Sequence, residues 1–329
     1  MLKVGVIGAG SFGKNHVRVY SDLDNVELVA VADPDIKHLN KCKKAGANCY
    51  LDYKEMLEKE ELDIVSLVVP TKLHHKLALE VINAGMNLFV EKPIASSVEE
   101  AKEIIDAAKR KGVKLSVGHI ERFNPAIIEL KKRLDAGELG RIYRVSVSRL
   151  GPFPTRIRDV GVVVDLAVHD LDIVRYLVGE DVESLYAKTE KNIHTSHEDI
   201  VTAILTFKDK TVCNLNIDWL TPAKVRKLYI AGEKGQFVVD YLKQNLSFQE
   251  NSFLENNISY SDIMRGVSVG RHILFNIQKK EPLCAELEHF IKCVEQDEQP
   301  LVSGEDATKA LELALDLIDS SEKNRVIVK

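Results

Sequence analysis

The sequence has no Cys-x-x-Cys pair, no excess of positive charge, no internal repeat or low-complexity tract, and no apolar run that approaches the length of a membrane span. Each absence removes a class of function. The five cysteines (Cys42, Cys49, Cys213, Cys284 and Cys293) stand apart from one another and from any histidine at metal-ligand spacing, which fits reduced thiols and speaks against structural zinc. His74 and His75 are neighbours whose side chains diverge, so they supply no metal site either. Lys and Arg number 45 against 50 Asp and Glu, and a net charge of −5 argues against a broad face for nucleic acid. A bilayer span needs roughly 18 to 20 consecutive apolar residues, and the chain opens on a strand pattern rather than a charged, apolar, cleavable leader. The expectation is a cytoplasmic protein with no metal and with neither nucleic acid nor membrane as a partner.

What is present is a chain of 329 residues, 45% apolar, long enough for two domains that each bury a core. Its first fifteen residues organise the rest. Val4, Val6 and Ile7 run into Gly8-Ala9-Gly10-Ser11-Phe12-Gly13 and then Lys14-Asn15-His16-Val17, which reads as strand, glycine turn and helix. Gly8 permits the tight turn, Gly10 lets a pyrophosphate approach bare backbone, and Gly13 lets the helix pack close to the strand with its N-terminus aimed at an anion. A second apolar strand, Val26 to Ala32, ends in Asp33, 20 residues past Gly13. At about that spacing an acid accepts the hydroxyls of an adenosine ribose. NAD is therefore expected over NADP, whose 2′-phosphate Asp33 would repel.

Strands and helices alternate from there to residue 118: helix Ile36 to Ala45, a short extended piece near Cys49-Tyr50, helix Tyr53 to Glu60, strand Ile64 to Val69, helix His74 to Ala84, strand Asn87 to Val90, helix Val98 to Lys111 and strand Lys114 to Val117. Nearly continuous apolar strands between helices imply right-handed crossovers and a doubly wound parallel sheet. The pattern then changes. A helix to about Leu134, an alternating strand over Arg141 to Arg149, a Pro- and Arg-rich loop from Gly151 to Asp159, a helix from Val162 to Val178 and several turn-separated strands predict a second domain with a mainly antiparallel open sheet. Leu242 to Lys280 reads as loop with one strand at its start, and helices Cys284 to Val294 and Ala307 to Ile318 close the chain with an end strand at Val326 to Val328. The expected boundaries are 1–118 and 119–329.

Ligands in such sheets lie beyond the carboxyl ends of the strands, so Asp33, Thr71 and Lys92 should converge on one edge. Lys92 sits between Glu91 and Pro93 at a strand mouth, where an ammonium stabilises negative charge developing on a substrate oxygen. The other reading of that position is an ordinary solvated lysine. Asp165 and His169, four residues apart, share one face of an otherwise apolar helix. A buried carboxylate and imidazole are costly unless used or paired. Histidine suits proton transfer at neutral pH, and the alternative is a core histidine capped by Asp165 or Asp170.

Together, Gly8-Ala9-Gly10-Ser11-Phe12-Gly13, Pro70-Thr71 with His74, Glu91-Lys92-Pro93, Arg122-Phe123-Asn124-Pro125 and Asp165-Leu166-Ala167-Val168-His169-Asp170 resemble, in order and spacing, the Gfo/Idh/MocA oxidoreductases along the whole chain. The resemblance implies a Rossmann domain followed by an α/β domain whose open sheet pairs subunits into a homodimer or homotetramer, and reversible oxidation of a secondary alcohol on a sugar or cyclitol with NAD(H) or NADP(H). It implies that Lys92 polarises the reacting oxygen, that His169 is acid and base, and that Asp165 binds the adjacent hydroxyl or orients His169. The cofactor would also meet Ser11, Phe12, Pro70, Thr71, His74, Glu91 and Lys92. Where the family usually carries Thr-Pro-Asn this chain has Val69-Pro70-Thr71. The run Gly118 to Pro125, with Arg156-Ile157-Arg158-Asp159-Val160-Gly161, resembles the branch that oxidises the 3-hydroxyl of UDP-N-acetylglucosamine. In that case Arg122, Asn124, Arg156 and Arg158 would meet the sugar nucleotide. The readings kept beside it are a myo-inositol or free-sugar dehydrogenase and a non-catalytic NAD-binding regulator.

Overall fold

Short apolar strands followed by amphipathic helices wind the first third of the chain into one sheet. In the computed structural model, which describes residues 1–42, 45–154, 160–193, 196–252 and 269–329, the elements are β1 (Leu2–Ile7), α1 (Gly13–Asp22), β2 (Val26–Ala32), α2 (Ile36–Cys42), β3 (Asn48–Tyr50), α3 (Tyr53–Lys59), β4 (Ile64–Leu67), α4 (His74–Asn83), β5 (Asn87–Glu91), α5 (Val98–Lys111) and β6 (Leu115–Gly118). The strands are all parallel, in the order β3-β2-β1-β4-β5-β6. That is the doubly wound order, with its switch point between β1 and β4. All four residues of β4 are buried, as a strand covered on both faces requires.

The second sheet follows α6 (Pro125–Asp135), which Asn124 caps by accepting the Ala126 N–H. β7 (Ile142–Pro152) leads to a π-helical turn, Val163–Ala167, and α7 (Val168–Val178). Then come β8 (Val182–Glu190), β9 (Ile200–Phe207), β10 (Val212–Asp218), β11 (Leu220–Gly232), β12 (Gly235–Asp240), β13 (Asn245–Asn251) and β14 (Val269–Leu274). With the two-residue β15 (Ile327–Val328) they form a nine-stranded sheet in the order β14-β13-β12-β11-β7-β10-β9-β8-β15, antiparallel except where β10 runs parallel to β7. Alternation along β9 and β10 sends Val201, Ala203, Leu205, Cys213, Leu215 and Ile217 into a core completed by Ile127 and Leu130 of α6 and Leu171 and Val174 of α7. Thr202, Ile204, Asn214 and Asn216 point the other way and are exposed. Two expectations are corrected. The helix over 162–178 starts as a π turn, and Leu242 to Lys280 contributes two strands, because Leu246 and Phe248 alternate inward and Phe248 packs its ring 4.6 Å from that of Phe237.

The last helices, α8 (Pro282–Glu295) and α9 (Gly304–Lys323), divide the chain differently from a single boundary near 118. The compact units are Met1–Ile120 with Glu281–Glu312, and Glu121–Lys280 with Leu313–Lys329. Leu283, Leu287, Phe290 and Ile291 of α8 join Val4, Val6, Val17 and Phe89 in one core, so the apolar stripe of that helix completes the nucleotide-binding unit.

The glycine turn after β1 is held by backbone against backbone. Gly8 has φ 95°, and a Cβ there would lie 2.1 Å from the Val68 carbonyl oxygen. A Cβ on Gly13 would lie 1.9 Å from the Gly8 carbonyl oxygen. Gly13→Ala must therefore push α1 off β1. We expect it to lower unfolding stability by roughly 1–3 kcal/mol and to weaken NAD binding in parallel, read by urea denaturation and by titration of NAD against the folded variant. Wild-type values in both would mean that the turn relaxes without moving the helix.

Candidate active site

In the nucleotide-binding unit, the fold places Asp33 directly after β2 and bonds it back to the glycine turn. Its Oδ2 accepts the Ala9 N–H at 2.8 Å and its Oδ1 accepts the Asp35 N–H at 2.8 Å. His38 Nδ1 stands 3.1 Å from the same Oδ1. Around Gly10 an added Cβ would meet only His38 Cε1, at 3.9 Å, so bare backbone is presented where a pyrophosphate approaches. Ser11 is exposed, Phe12 rests its ring 5.4 Å from that of His16, and Pro70 and Thr71 open a 3-10 turn beyond β4. These residues fit a dinucleotide: a turn only glycine can make, an open approach to backbone N–H groups, and a carboxylate at the ribose position.

Lys92, partly exposed, follows β5 directly, and its chain is fastened on both sides. Its own N–H donates to Glu91 Oε2 at 3.3 Å, while Glu91 Oε1 lies 3.1 Å from Nε2 of the fully buried His16. A carboxylate only accepts, so in the neutral ring Nε2 carries the proton and Nδ1 accepts from the Ser66 hydroxyl, 2.9 Å away. On the other side His74, 1% exposed, has Nδ1 2.8 Å from the Pro93 carbonyl oxygen and Nε2 2.9 Å from that of Val69. Burial pushes the His74 pKa down, against the pull of those two carbonyls. His74 and Glu91, expected to meet the cofactor, make these hydrogen bonds within the protein. Their polar atoms are turned to the protein, and both position the segment that carries Lys92.

In the second unit the π turn decides what is exposed. Val162, Val163, Ala167, Val168 and Asp170 are buried, while Asp165 and His169 are partly exposed, so the carboxylate and the imidazole surface from the same short stretch. The turn is pinned at its start by Glu198, whose backbone carbonyl accepts the Val162 N–H at 2.9 Å and whose Oε1 accepts that of Val163 at 3.1 Å. Gly161 makes room for that carboxylate, since a Cβ there would lie 2.0 Å from Oε1. Asp170 does not cap His169. Its two oxygens take Nε and Nη2 of Arg149 at 2.6 and 3.0 Å, and Arg149 Nη1 reaches Glu121 Oε1 at 3.1 Å. Burial works against the charge of Arg149, but Asp170 and Glu121 outweigh it and move its pKa upward.

The substrate residues expected around this half fare differently. Arg122 is buried, donates from Nε and Nη2 to Asp172 at 2.9 and 2.6 Å, and lies over the ring of Tyr176. Asn124 is buried too, accepting from Ala126 and donating to the Tyr241 carbonyl oxygen at 3.2 Å. The hydrogen bonds these two residues make are buried within the second unit. Arg156 and Arg158 lie outside the described residues. Among the described residues no group of His, Cys, Asp and Glu is arranged to hold a metal, and no helix is long and apolar enough to cross a membrane.

A family model described as the oxidoreductase family, NAD-binding Rossmann fold, matches residues 2–119, and the model of its C-terminal alpha/beta domain matches residues 131–329. The chain belongs to the Gfo/Idh/MocA oxidoreductase family. UDP-N-acetylglucosamine 3-dehydrogenase from Acidithiobacillus ferrooxidans is 28% identical over 95% of each chain. Its crystal structure superposes with a TM-score of 0.87 at 26% identity, covering 98% of both chains. The scyllo-inositol 2-dehydrogenase (NAD(+)) of Bacillus subtilis is 28% identical over 95% of this chain and 92% of its own. The WlbA dehydrogenase from Bordetella pertussis, solved in complex with NADH and UDP-GlcNAcA, superposes with a TM-score of 0.83 at 26% identity, covering 100% of this chain and 98% of that one.

This oxidoreductase is an NAD-binding enzyme, and much of what positions its candidate residues escaped the sequence reading. His16, Ser66, Glu121, Arg149, Asp172 and Glu198 are not among the residues the sequence points to, and Asp170 enters there only as a cap for His169. One signal was available: Arg149 keeps register with Val145 and Val147 on the apolar face of β7, where a guanidinium demands carboxylates. For the oxidoreductase, Asp33→Ala should weaken NAD about 10- to 100-fold, the loss of a hydrogen bond to a charged group. NADP should be weakened far less. Calorimetric titration of both dinucleotides reads the ratio, and an unchanged ratio would place ribose recognition elsewhere.

Proposed function

We propose that the enzyme oxidises a secondary alcohol of a sugar, specifically the 3-hydroxyl of UDP-N-acetylglucosamine, to the 3-keto sugar nucleotide, and that it does so in the cytoplasm without nucleic-acid or membrane partners. The observation that carries the chemistry is that Asp165 and His169 are both partly exposed on one short stretch whose Val162, Val163, Ala167, Val168 and Asp170 are buried. The substrate is supported by the likeness to the 3-dehydrogenase of Acidithiobacillus ferrooxidans, which runs over 95% of the chain. NAD held at the glycine turn supplies the acceptor for the hydride. Lys92 places an ammonium against the reacting oxygen and stabilises charge as its proton departs. His169 takes that proton, and Asp165 binds the neighbouring hydroxyl or orients the ring. The scyllo-inositol dehydrogenase, at equal identity, supports a second reading in which the substrate is a free cyclitol.

Incubation with NAD and UDP-N-acetylglucosamine is expected to produce reduced nicotinamide and a 3-keto product that an aminotransferase traps. Turnover of myo- or scyllo-inositol with none of the sugar nucleotide would favour the second reading. Lys92→Ala and His169→Ala should each lower turnover roughly 100- to 10,000-fold with NAD affinity retained. Wild-type turnover in either variant would remove that residue from the chemistry.

We further propose a homodimer or homotetramer built on the open face of the nine-stranded sheet, where Ile204 and Val212 are 53% and 39% exposed among Thr202, Asn214 and Asn216. Ile204→Lys should then lower the mass measured by sedimentation, and an assembly that tolerates it would have to use another face.

A further inference from the structure

Arg226 has no role in the fold comparable to that of its neighbour. It lies on β11 directly opposite Arg149 of β7, so two guanidinium groups stand side by side on the face that carries the core. Like charges placed opposite each other destabilise a strand pair, and Glu121 stands between them. Its Oε1 is 3.1 Å from Arg149 Nη1 and 3.8 Å from Arg226 Nη1. The shorter contact belongs to Arg149, which is 2% exposed and saturated by Asp170. The longer one is outside hydrogen-bond reach. Arg226 thus carries five N–H donors on a side chain 33% exposed, and among the described residues its guanidinium has no hydrogen-bond acceptor. Burial and the charge of Arg149 pull its pKa down, and Glu121, Asp170 and Asp165 oppose them. A guanidinium so withdrawn from water and so loosely held is placed to take a ligand without first breaking a tight pair.

Its neighbours say which ligand. Asp170, clamped to Arg149, is the residue after His169, so the arginine opposite Arg226 holds the first turn of the helix that carries the imidazole. The planar fork matches a phosphate or a carboxylate, which it grips through two parallel bonds. We propose that Arg226 binds an oxyanion of the substrate, a phosphate or carboxylate group, beside Asp165 and His169. This rests on the assignment of those two residues to the substrate, and it gives the second unit the cation that the buried Arg122 does not provide.

The test is calorimetric titration of UDP-N-acetylglucosamine, glucuronate and myo-inositol into the NADH-saturated protein, as wild type, Arg226→Lys and Arg226→Gln. Arg226→Gln is expected to weaken the anionic ligand by about 10- to 100-fold, Arg226→Lys by less because charge remains without the fork. Affinity for myo-inositol and for NADH should not change. Sugar-nucleotide binding that depends on Arg226 supports both the inference and the proposed substrate. If only glucuronate binds, and needs Arg226, the substrate reading falls and the inference stands. Equal affinity of the anionic ligand in wild type and Arg226→Gln overturns the inference and leaves the substrate reading intact. Binding of myo-inositol alone overturns both. A loss of NADH affinity or of thermal stability equal to the loss of ligand would mark Arg226 as structural, and Arg226→Lys then decides, since a wild-type affinity with that variant also overturns the inference.

Discussion

The bidentate pair between Arg149 and Asp170 is the contact on which the geometry of the second unit depends. A guanidinium that is 2% exposed has no solvent to fall back on, so its strand must present it to a carboxylate at a fixed distance and angle. Asp170 supplies that carboxylate from the first turn of α7, and the pair thereby fixes the rotation of the helix about its own axis. With Asp170 turned inward, His169 is turned toward the surface, one residue away and about 100° around the helix. The Arg122–Asp172 pair repeats the constraint two residues on. Replacing buried pairs of this kind by well-packed apolar residues is often neutral or stabilising, whereas losing one partner costs about 3–5 kcal/mol. Their value here is orientation.

The nucleotide-binding unit reaches the same end with neutral and singly charged groups. Lys92 is not itself buried, so what needs fixing is the backbone that carries it. Glu91 holds the Lys92 N–H and is held by His16, which is held by Ser66. His74 ties Pro93 to Val69 across the next strand end. One imidazole thus bridges β4 and β5, and a second joins the segments that follow them, on either side of Lys92 in sequence. Because His16 belongs to α1, the segment with the lysine is joined through it to the helix whose N-terminus follows the glycine turn.

These differences explain what could be read from the sequence and what could not. The glycine turn, Asp33 and the alternation of strands and helices were legible because each is local: a φ only glycine adopts easily, a fixed spacing, a periodicity. The placement of Lys92 after β5 follows from the same alternation. The pair made by Arg122 was hidden because its partner Asp172 is 50 residues away, and an arginine in a short polar run looks the same whether its counter-ion is a phosphate or a buried aspartate. Asn124 looks the same as a ligand or as a helix cap. The π turn was invisible because Glu198, which pins its start and whose carboxylate lies against Gly161, is 35 residues beyond Val163 in sequence. The return of α8 to the first unit was equally hidden, since an apolar stripe announces burial without naming the core it joins.

The π turn also changes what the four-residue spacing of Asp165 and His169 means. In an α-helix that spacing stacks two side chains on one face, close enough to pair with each other, and a carboxylate and imidazole so placed tend to satisfy one another. Hydrogen bonding from i to i+5 widens the turn, and here it is widened over the stretch that carries Asp165, while α7 begins only at Val168. Both groups are partly exposed. A widened turn is strained unless its free N–H groups are bonded, and Glu198 meets that need at both Val162 and Val163. The helix end is thus stabilised from outside by one acid, while a second acid and an imidazole stay partly exposed.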